Sequence, residues 1–277
     1  MEEWRALAEA QAGMLAQHQL NRLQVSRSAV RRHLRVGRWS QRTSHVFSIT
    51  TGPLSFDQRL WMSVLHAGPT ALVGGLSAAA VHGLRNWDRD VITVLVDDEL
   101  SFDPVPGVHF FRSRRPLQDW RSSRPLPVSR VEPAILLFAA YEPSLRTGLG
   151  AVMATCQQRL TTVHRLRPWA DAMRPLRRAR HLRSLFLDLE GGAQSLAEVD
   201  LRSMCRTFGI CPPSSQRRRR DRAGTMRWTD AEWRLSDGRI LVLEVDGGSA
   251  SSPRPTGSCS AARRTSCAIT PRTWRRT

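Results

Sequence analysis

Acidic side chains cluster in a short stretch near the C-terminal end of the sequence. Residues 228–248 contain two apolar runs that flank an Asp-Gly pair, which predicts a β-hairpin. Asp230 lies on the first predicted strand, and Glu244 and Asp246 lie near the end of the second. Glu244 and Asp246 are two residues apart and therefore share a face of the strand. Because converging carboxylates are costly without a neutralising cation, the pattern predicts a divalent metal site. A solvated strand face beside an ordinary turn is the alternative.

A fourth acid, Glu198, lies on a predicted helix that begins at Ser195. The two residues have the spacing of a capping box, which gives Glu198 a purely structural explanation. A basic strand is predicted between this helix and the hairpin. Its arginines are Arg217, Arg218, Arg219 and Arg220. The acids and this strand therefore follow the order helix acid, basic strand, strand acid and Glu-x-Asp-Gly.

Glu198, Asp230 and the run Glu244-Val245-Asp246-Gly247 resemble the very-short-patch-repair-like branch of the PD-(D/E)xK nuclease superfamily. The resemblance covers residues 195–248 and implies Mg²⁺-dependent hydrolysis of DNA phosphodiester bonds. It implies that Asp230 and Glu244 hold the metal and that Asp246 assists. Glu198 would position a metal or a water, and the arginines of the basic strand would contact the DNA backbone.

Three features of the sequence depart from that family pattern. The superfamily lysine position, two residues after the second acid, is Asp246, and the chain contains no lysine. No histidine follows the Asp-Gly pair, and no further strand and long helix follow Gly248. We therefore expect residues 191–248 to be an incomplete nuclease-like domain, impaired or inactive in this copy. The alternative is a non-enzymatic, antitoxin-like transcriptional regulator that binds DNA.

Residues 1–50 have the pattern of a winged helix-turn-helix. Two short helices broken near Gly13 precede a third, which begins after the N-cap Ser26 and ends at Gly37. Residues 39–49 are predicted to form a two-stranded wing. The third helix would enter the major groove of DNA, although a solvated basic face is the alternative. The predicted nucleic-acid contacts of this segment are Arg27, Arg31, Arg32, Arg35 and Arg38.

Residues 53–145 are predicted to form a small α/β unit, with Ser77 as a helix N-cap. Residues 26–140 resemble the AbiEi-type antitoxin family, the second segment carrying the run Leu76-Ser77-Ala78-Ala79-Ala80-Val81-His82-Gly83-Leu84. This resemblance implies autoregulatory DNA binding and suggests a toxin as protein partner. His66 and His82 are interpreted as packed or solvated helix residues rather than functional ones.

Two further segments complete the predicted α+β, two-domain organisation. Residues 146–190 read as a helical, arginine-rich connector, and Gly191-Gly192 ends it. Residues 249–277 lack acids and any hydrophobic period, so we expect a disordered tail. This tail is either a natural arginine-rich extension or the product of a frameshift near Gly248, which the other two reading frames would reveal.

The charge of the chain favours a nucleic-acid partner. All 42 basic residues are arginines, and the formal net charge is +18. Arginine binds phosphate bidentately, although a GC-rich coding sequence would also produce this bias. An arginine-rich RNA binder is a third hypothesis, to which the few aromatic residues give little support. Five cysteines without zinc-site spacing, no signal peptide and no membrane span predict a cytoplasmic protein with free thiols.

Overall fold

A computed structural model of the chain describes residues 3–98, 103–193, 195–220, 224–235 and 237–243. The chain divides into two compact units, Met1–His181 and Leu182–Thr277. Helices and small sheets occur in both, so the predicted α+β class is confirmed. The finer predicted division, at residues 50, 145, 190 and 248, stays a prediction. The predicted tail lies outside the described residues.

The first unit begins with a helix, a strand, two helices and a hairpin. These are α1 (Glu3–Ala10), β1 (Met14–Ala16), α2 (Gln17–Arg22), α3 (Arg27–Arg35), β2 (Ser40–Gln41) and β3 (Val46–Ser48). The strand β3 is central and pairs antiparallel with both β1 and β2. A third helix and a two-stranded hairpin are thus present at the predicted positions, as α3 and β2–β3. The two short helices predicted on either side of Gly13 are present as α1 and α2, and the short strand β1 lies between them.

Two groups of buried side chains hold this segment. One lies within it and joins Leu15, Leu20, Val30, Trp39 and Phe47 to Ala8. The other joins its sheet to the next segment, and its members are Met14, Ala16, Val46, Met62, Leu65 and Val105. The helix-and-hairpin segment and the segment that follows therefore share a hydrophobic core.

The next segment is a small three-stranded sheet with two helices. Its elements are α4 (Phe56–Ala67), β4 (Leu72–Val73), α5 (Gly75–Val81), β5 (Ile92–Asp97), β6 (Val108–Ser113) and a 3₁₀ turn (Leu117–Trp120). The strand order is β4-β5-β6, with β4 antiparallel and β6 parallel to β5. The N-cap of α5 is Gly74, so the prediction of Ser77 as N-cap was wrong. The Ser77 hydroxyl instead accepts a hydrogen bond from the backbone N–H of Thr93 on β5.

Three helices complete the first unit, namely α6 (Val131–Tyr141), α7 (Leu145–Gln157) and α8 (Val163–Ala172). The helix α6 is buried along most of its length and packs closely on α7. A Cβ atom placed on Gly148 of α7 would lie 2.9 Å from the carbonyl oxygen of Ala139. Glycine at position 148 therefore permits the close approach of the two helix backbones.

The second unit contains two helices and an antiparallel sheet. The helix α9 (Ala179–Glu190) spans the boundary between the units and is followed by α10 (Leu196–Thr207). The strands are β7 (Ser214–Arg220), β8 (Met226–Arg234) and β9 (Ile240–Leu243), in the order β7-β8-β9. Leu201 and Cys205 of α10 pack on Ala231 of β8, which places α10 against the sheet.

The predicted β-hairpin is confirmed by the pairing of β8 with β9. Their register places Ala231 opposite Leu243 and Arg234 opposite Ile240. Asp237 closes the turn, because its carboxylate accepts a hydrogen bond from the backbone N–H of Arg239 at 2.9 Å. Gly238 follows with a φ of 81°, a conformation that favours glycine. In the described residues, none of the helices is both long and apolar enough to cross a membrane.

Candidate nucleic-acid surface and acidic hairpin

The helix α3 is fixed at both ends by its own sequence. The Ser26 hydroxyl accepts a hydrogen bond from the backbone N–H of Ala29 at 3.2 Å, as expected for an N-cap. Gly37, with a φ of 66°, follows the last turn. Val30 anchors the inner side of the helix in the core. The predicted start and end of α3 are therefore confirmed.

Aromatic rings fix how α3 sits on its neighbours. The His33 ring stacks on the buried Trp39 ring with centroids 4.6 Å apart, and Trp4 of α1 packs edge-on against Trp39 at 5.0 Å. These contacts tie α1, α3 and the start of the hairpin to one cluster. The orientation of the outer side of α3 is set by this packing.

The outer side of α3 is strongly basic. Every predicted contact residue of this segment is exposed, namely Arg27, Arg31, Arg32, Arg35 and Arg38. A cleft of about 560 Å³ lies beside the helix, and three arginines, Arg5, Arg32 and Arg38, line it together with the hydroxyls of Ser26 and Ser28. Guanidinium and hydroxyl donors around one cleft suit an anionic ligand such as a phosphate group.

Two histidines hold the turn of the β2–β3 hairpin against α4, namely His45 in the turn and His66 on the helix. Their rings are stacked, with centroids 4.7 Å apart. His66 of α4 is buried, and its ring contacts the Thr43 hydroxyl at 3.0 Å and the Asp103 carbonyl at 2.8 Å. Burial lowers the pKa of His66, and the adjacent His45 ring acts in the same direction. The ring is therefore neutral at pH 7 and donates one N–H to the Asp103 carbonyl.

These contacts account for the histidines that the sequence presents as possible functional residues. His82 also has a structural partner, because its Nε2 lies 2.8 Å from the carbonyl oxygen of Ser129. Burial lowers the pKa of His82 as well. His66 within α4 and His82 at the end of α5 therefore both make structural contacts.

In the second unit, the basic strand β7 divides into one ion-paired arginine and three exposed ones. Arg219 donates two hydrogen bonds to the Glu232 carboxylate, from Nε and Nη2, each at 2.9 Å. Arg217, Arg218 and Arg220 are exposed. The guanidinium of Arg218 lies over the Trp228 ring, 5.3 Å from its centroid. The structure thus gives Arg219 a structural role that the arginine run alone does not reveal.

Glu232 is the acid that sequence reasoning missed. It is 6% exposed and also accepts a hydrogen bond from the Thr229 hydroxyl at 2.8 Å. Burial opposes ionisation of Glu232, but the hydrogen bonds from Arg219 and Thr229 outweigh it and hold its pKa below the usual value. The sequence does contain a signal for this ion pair, because Glu232 lies on a strand that is predicted to neighbour a strand with four arginines.

The predicted catalytic acids are only partly within the described residues. Glu198 lies in the first turn of α10 and is buried, and Asp230 lies on β8 and is half-buried. Ala231 pairs with Leu243, the residue that directly precedes Glu244 in the sequence. Glu244 and Asp246 lie outside the described residues. The grouping of Glu198, Asp230, Glu244 and Asp246 into one site therefore stays a prediction.

Glu198 has the local contacts of a helix cap. The Ser195 hydroxyl accepts a hydrogen bond from the Glu198 backbone N–H at 3.1 Å and donates one to its Oε1 at 3.2 Å. The helix itself is tied to α9 by Arg206, which donates two hydrogen bonds to the buried Asp188 carboxylate. The Glu198 carboxylate is thus held at a fixed, buried position near the start of α10.

The donor types of this region suit a hard divalent cation, because carboxylate oxygens are the ligands that Mg²⁺ prefers. In the part of the chain that the structure describes, however, no group of three potential ligands comes together. Glu198 and Asp230 alone do not form a metal site. The metal prediction therefore depends on Glu244 and Asp246.

The cysteines within the described residues are free thiols, namely Cys156, Cys205 and Cys211. Burial raises the pKa of the Cys156 thiol to about 11, so it is protonated at neutral pH. Cys205 lies in the core beneath the sheet. The prediction of free thiols is confirmed for these three residues, and Cys259 and Cys267 lie outside the described part of the chain.

No protein-family model matches the sequence, and no curated protein matches it. Among solved structures, the chain is similar to the Rv2827c protein from Mycobacterium tuberculosis, at 17% sequence identity and a TM-score of 0.43. The alignment covers 70% of this chain and 77% of that chain. A likeness of this size does not establish a common fold.

Proposed function

We propose that this chain is a DNA-binding protein that places α3 in the major groove of a duplex, and that its C-terminal unit has metal-dependent endonuclease ancestry. The observation that carries DNA binding is the exposed arginine face of α3 on a helix whose other side is fixed in a core. Such a face offers donors to phosphates and to guanine edges while the fold sets its orientation.

The arrangement of elements around α3 supports this proposal. The order α1-β1-α2-α3-β2-β3, with β3 central in the sheet, is the order expected of a winged helix-turn-helix. In that motif, the second helix of the helix-turn-helix pair enters the groove, and here that helix is α3. The β2–β3 hairpin would act as the wing, and the histidine pair holds its turn against α4.

A salt titration with charge-matched variants tests the proposal. Binding of the full chain to a fluorescent mixed-sequence duplex of about 30 base pairs would be measured at several salt concentrations. Removing two phosphate contacts by Arg31→Ala and Arg35→Ala should weaken binding at least tenfold and reduce the salt slope by about 2. The control, Arg85→Ala with Arg180→Ala, removes equal charge from exposed positions outside the helix-and-hairpin segment. Equal losses for the two pairs would refute a specific role of α3.

The endonuclease ancestry of the second unit is supported by a different observation. A buried acid at the start of α10 is followed by the basic strand β7 and then by the acid-bearing hairpin β8–β9. Loss of the superfamily lysine leads us to propose that cleavage is impaired or absent in this copy. The AbiEi-type resemblance adds a toxin as a proposed protein partner and leaves a non-enzymatic regulator as the alternative.

Plasmid nicking with Mg²⁺ or Mn²⁺ separates these functions. If the chain is an impaired nuclease, a version restored in frame after Gly248 should cut, and Asp230→Asn should abolish cutting without unfolding the protein. Glu198→Gln keeps the capping geometry but removes the charge, so it separates a metal or water role from the cap. Binding without cutting in both versions would favour the regulator.

A further inference from the structure

A large aromatic side chain is exposed on the sheet of the second unit. Trp228 of β8 is 60% exposed, whereas the alternate residues Thr229 and Ala231 are buried. Ala231 packs on α10, so this part of β8 already has a core-facing side. The Trp228 ring is therefore left on the solvent side of the strand.

Two arginines of the neighbouring strand β7 lie on the same face of the sheet as this ring. Arg218 is the direct cross-strand partner of Trp228, and Arg220 is the partner of Met226, which is 43% exposed. Because residues two apart on a strand share a face, these four residues form one surface, here named the stacking face. The Arg218 guanidinium lies over the Trp228 ring, 5.3 Å from its centroid.

The charge of the stacking face restricts its partner. Arg218 and Arg220 are both exposed, and both lie on the same face of β7. An apolar protein segment would not need two arginines beside the ring, and a duplex presents phosphates but keeps its bases stacked inside. A single strand presents both groups, an unstacked base for the indole and phosphates for the guanidinium groups.

We infer that the stacking face binds single-stranded nucleic acid, with an unpaired base stacked on Trp228 and the flanking phosphates bound by Arg218 and Arg220. This surface is a different one from α3, and the inference does not rest on duplex binding by that helix. DNA and RNA strands share the recognised chemistry, a base face between phosphates. The contact between the Arg218 guanidinium and the Trp228 indole also holds a positive charge next to the position where the base would stack.

The test compares a dodecamer of thymidine with an abasic strand of the same length, using fluorescence anisotropy of the full chain. Trp228→Ala should weaken binding of the thymidine strand by about 5- to 150-fold, which corresponds to the loss of one base–aromatic stack of about 1–3 kcal/mol. Binding of the abasic strand, which keeps the phosphates, should change less than about twofold because no base is present to stack. A uridine dodecamer distinguishes a preference for RNA from one for DNA.

Two further variants keep the test independent of folding. Trp228→Phe should retain most of the affinity, because a phenyl ring still offers a stacking surface. Phe208→Ala removes another highly exposed aromatic ring from the same unit and should leave binding unchanged. Equal weakening of thymidine and abasic strands by Trp228→Ala would overturn the inference, as would unchanged thymidine binding. If Trp228→Ala weakens binding of the thymidine strand equally in the protein that also carries Arg31→Ala and Arg35→Ala, the stacking face binds independently of α3.

Discussion

Removal of the Arg219 side chain should destabilise the second unit by about 2 kcal/mol. Glu232 is 6% exposed, and two of the three hydrogen bonds described for its carboxylate come from Arg219. Breaking one partner of a fully buried ion pair costs about 3–5 kcal/mol. The Arg219 side chain is itself 37% exposed, so water can partly replace the lost guanidinium and the expected cost is smaller.

The cost of Arg219→Met should depend on pH. With Arg219 present, the lowered pKa of Glu232 means that the folded state binds fewer protons than the unfolded state just below pH 4.5. The Glu232 carboxylate therefore makes its full contribution to the free energy of unfolding above that pH. This contribution is lost as the pH falls through the pKa that Glu232 has in the folded state. Without Arg219, burial dominates and the pKa of Glu232 should rise, so acid no longer removes stability through this group. The difference between the two proteins should shrink from about pH 7 to about pH 4.

Pulse proteolysis in urea measures this difference, because it reports unfolding of the second unit from its own fragments. Arg220→Met is the matched control, since it removes an exposed arginine from the same strand and should cost less than about 0.5 kcal/mol. Replacing Arg219 and Glu232 together by methionine should cost less than Arg219→Met alone. A cost for Arg219→Met that stays constant from neutral to acidic pH would refute the electrostatic reasoning.

Three further predictions concern the first unit and the thiols. Gly148→Ala should destabilise the protein by about 1–3 kcal/mol in urea titration, whereas Gly52→Ala, with open space around it, should be nearly neutral; equal effects would contradict the close helix approach. Because the pKa of His66 is lowered in the folded state, stability should fall as the pH drops below about 6.5, and His66→Gln should reduce that slope in unfolding titrations. At pH 8, iodoacetamide should label the exposed Cys211 well before Cys156, whose raised pKa keeps it protonated, as peptide mass spectrometry would record.

Local signals in the sequence predicted several elements well. Ser26 and Gly37 mark the ends of α3 because a side-chain cap and a left-handed glycine act within a few residues. Asp237 and Gly238 likewise predict the β8–β9 turn. Ser195 predicts the start of α10 for the same reason. Each of these features depends on contacts between near neighbours in the chain.

Features that depend on distant partners were not predictable in this way. The strand β1 has only three residues, Met14–Ala16, and all are buried, so it shows no alternation. Ser77 looks like an N-cap, but Gly74 takes that position and the Ser77 hydroxyl binds β5 instead. The ion pair of Glu232 and the exposure of Trp228 depend on how the strands pair and on which side of the sheet packs against α10.

Among the described residues, the pairing of buried acids divides the arginines into paired and exposed ones. Glu132, Asp188 and Glu232 are buried, and each of them binds an arginine. Acids number 24 against 42 arginines, so at least eighteen arginines would lack an acid even if every acid had its own partner. Eighteen unneutralised arginines require counterions or an anionic partner, and displacement of those counterions is what drives nucleic-acid binding. The arginines of α3 and of the stacking face belong to the exposed class, whereas Arg219 belongs to the paired class. The sign of the net charge thus favours a polyanion, and the division between paired and exposed arginines indicates which residues would contact it.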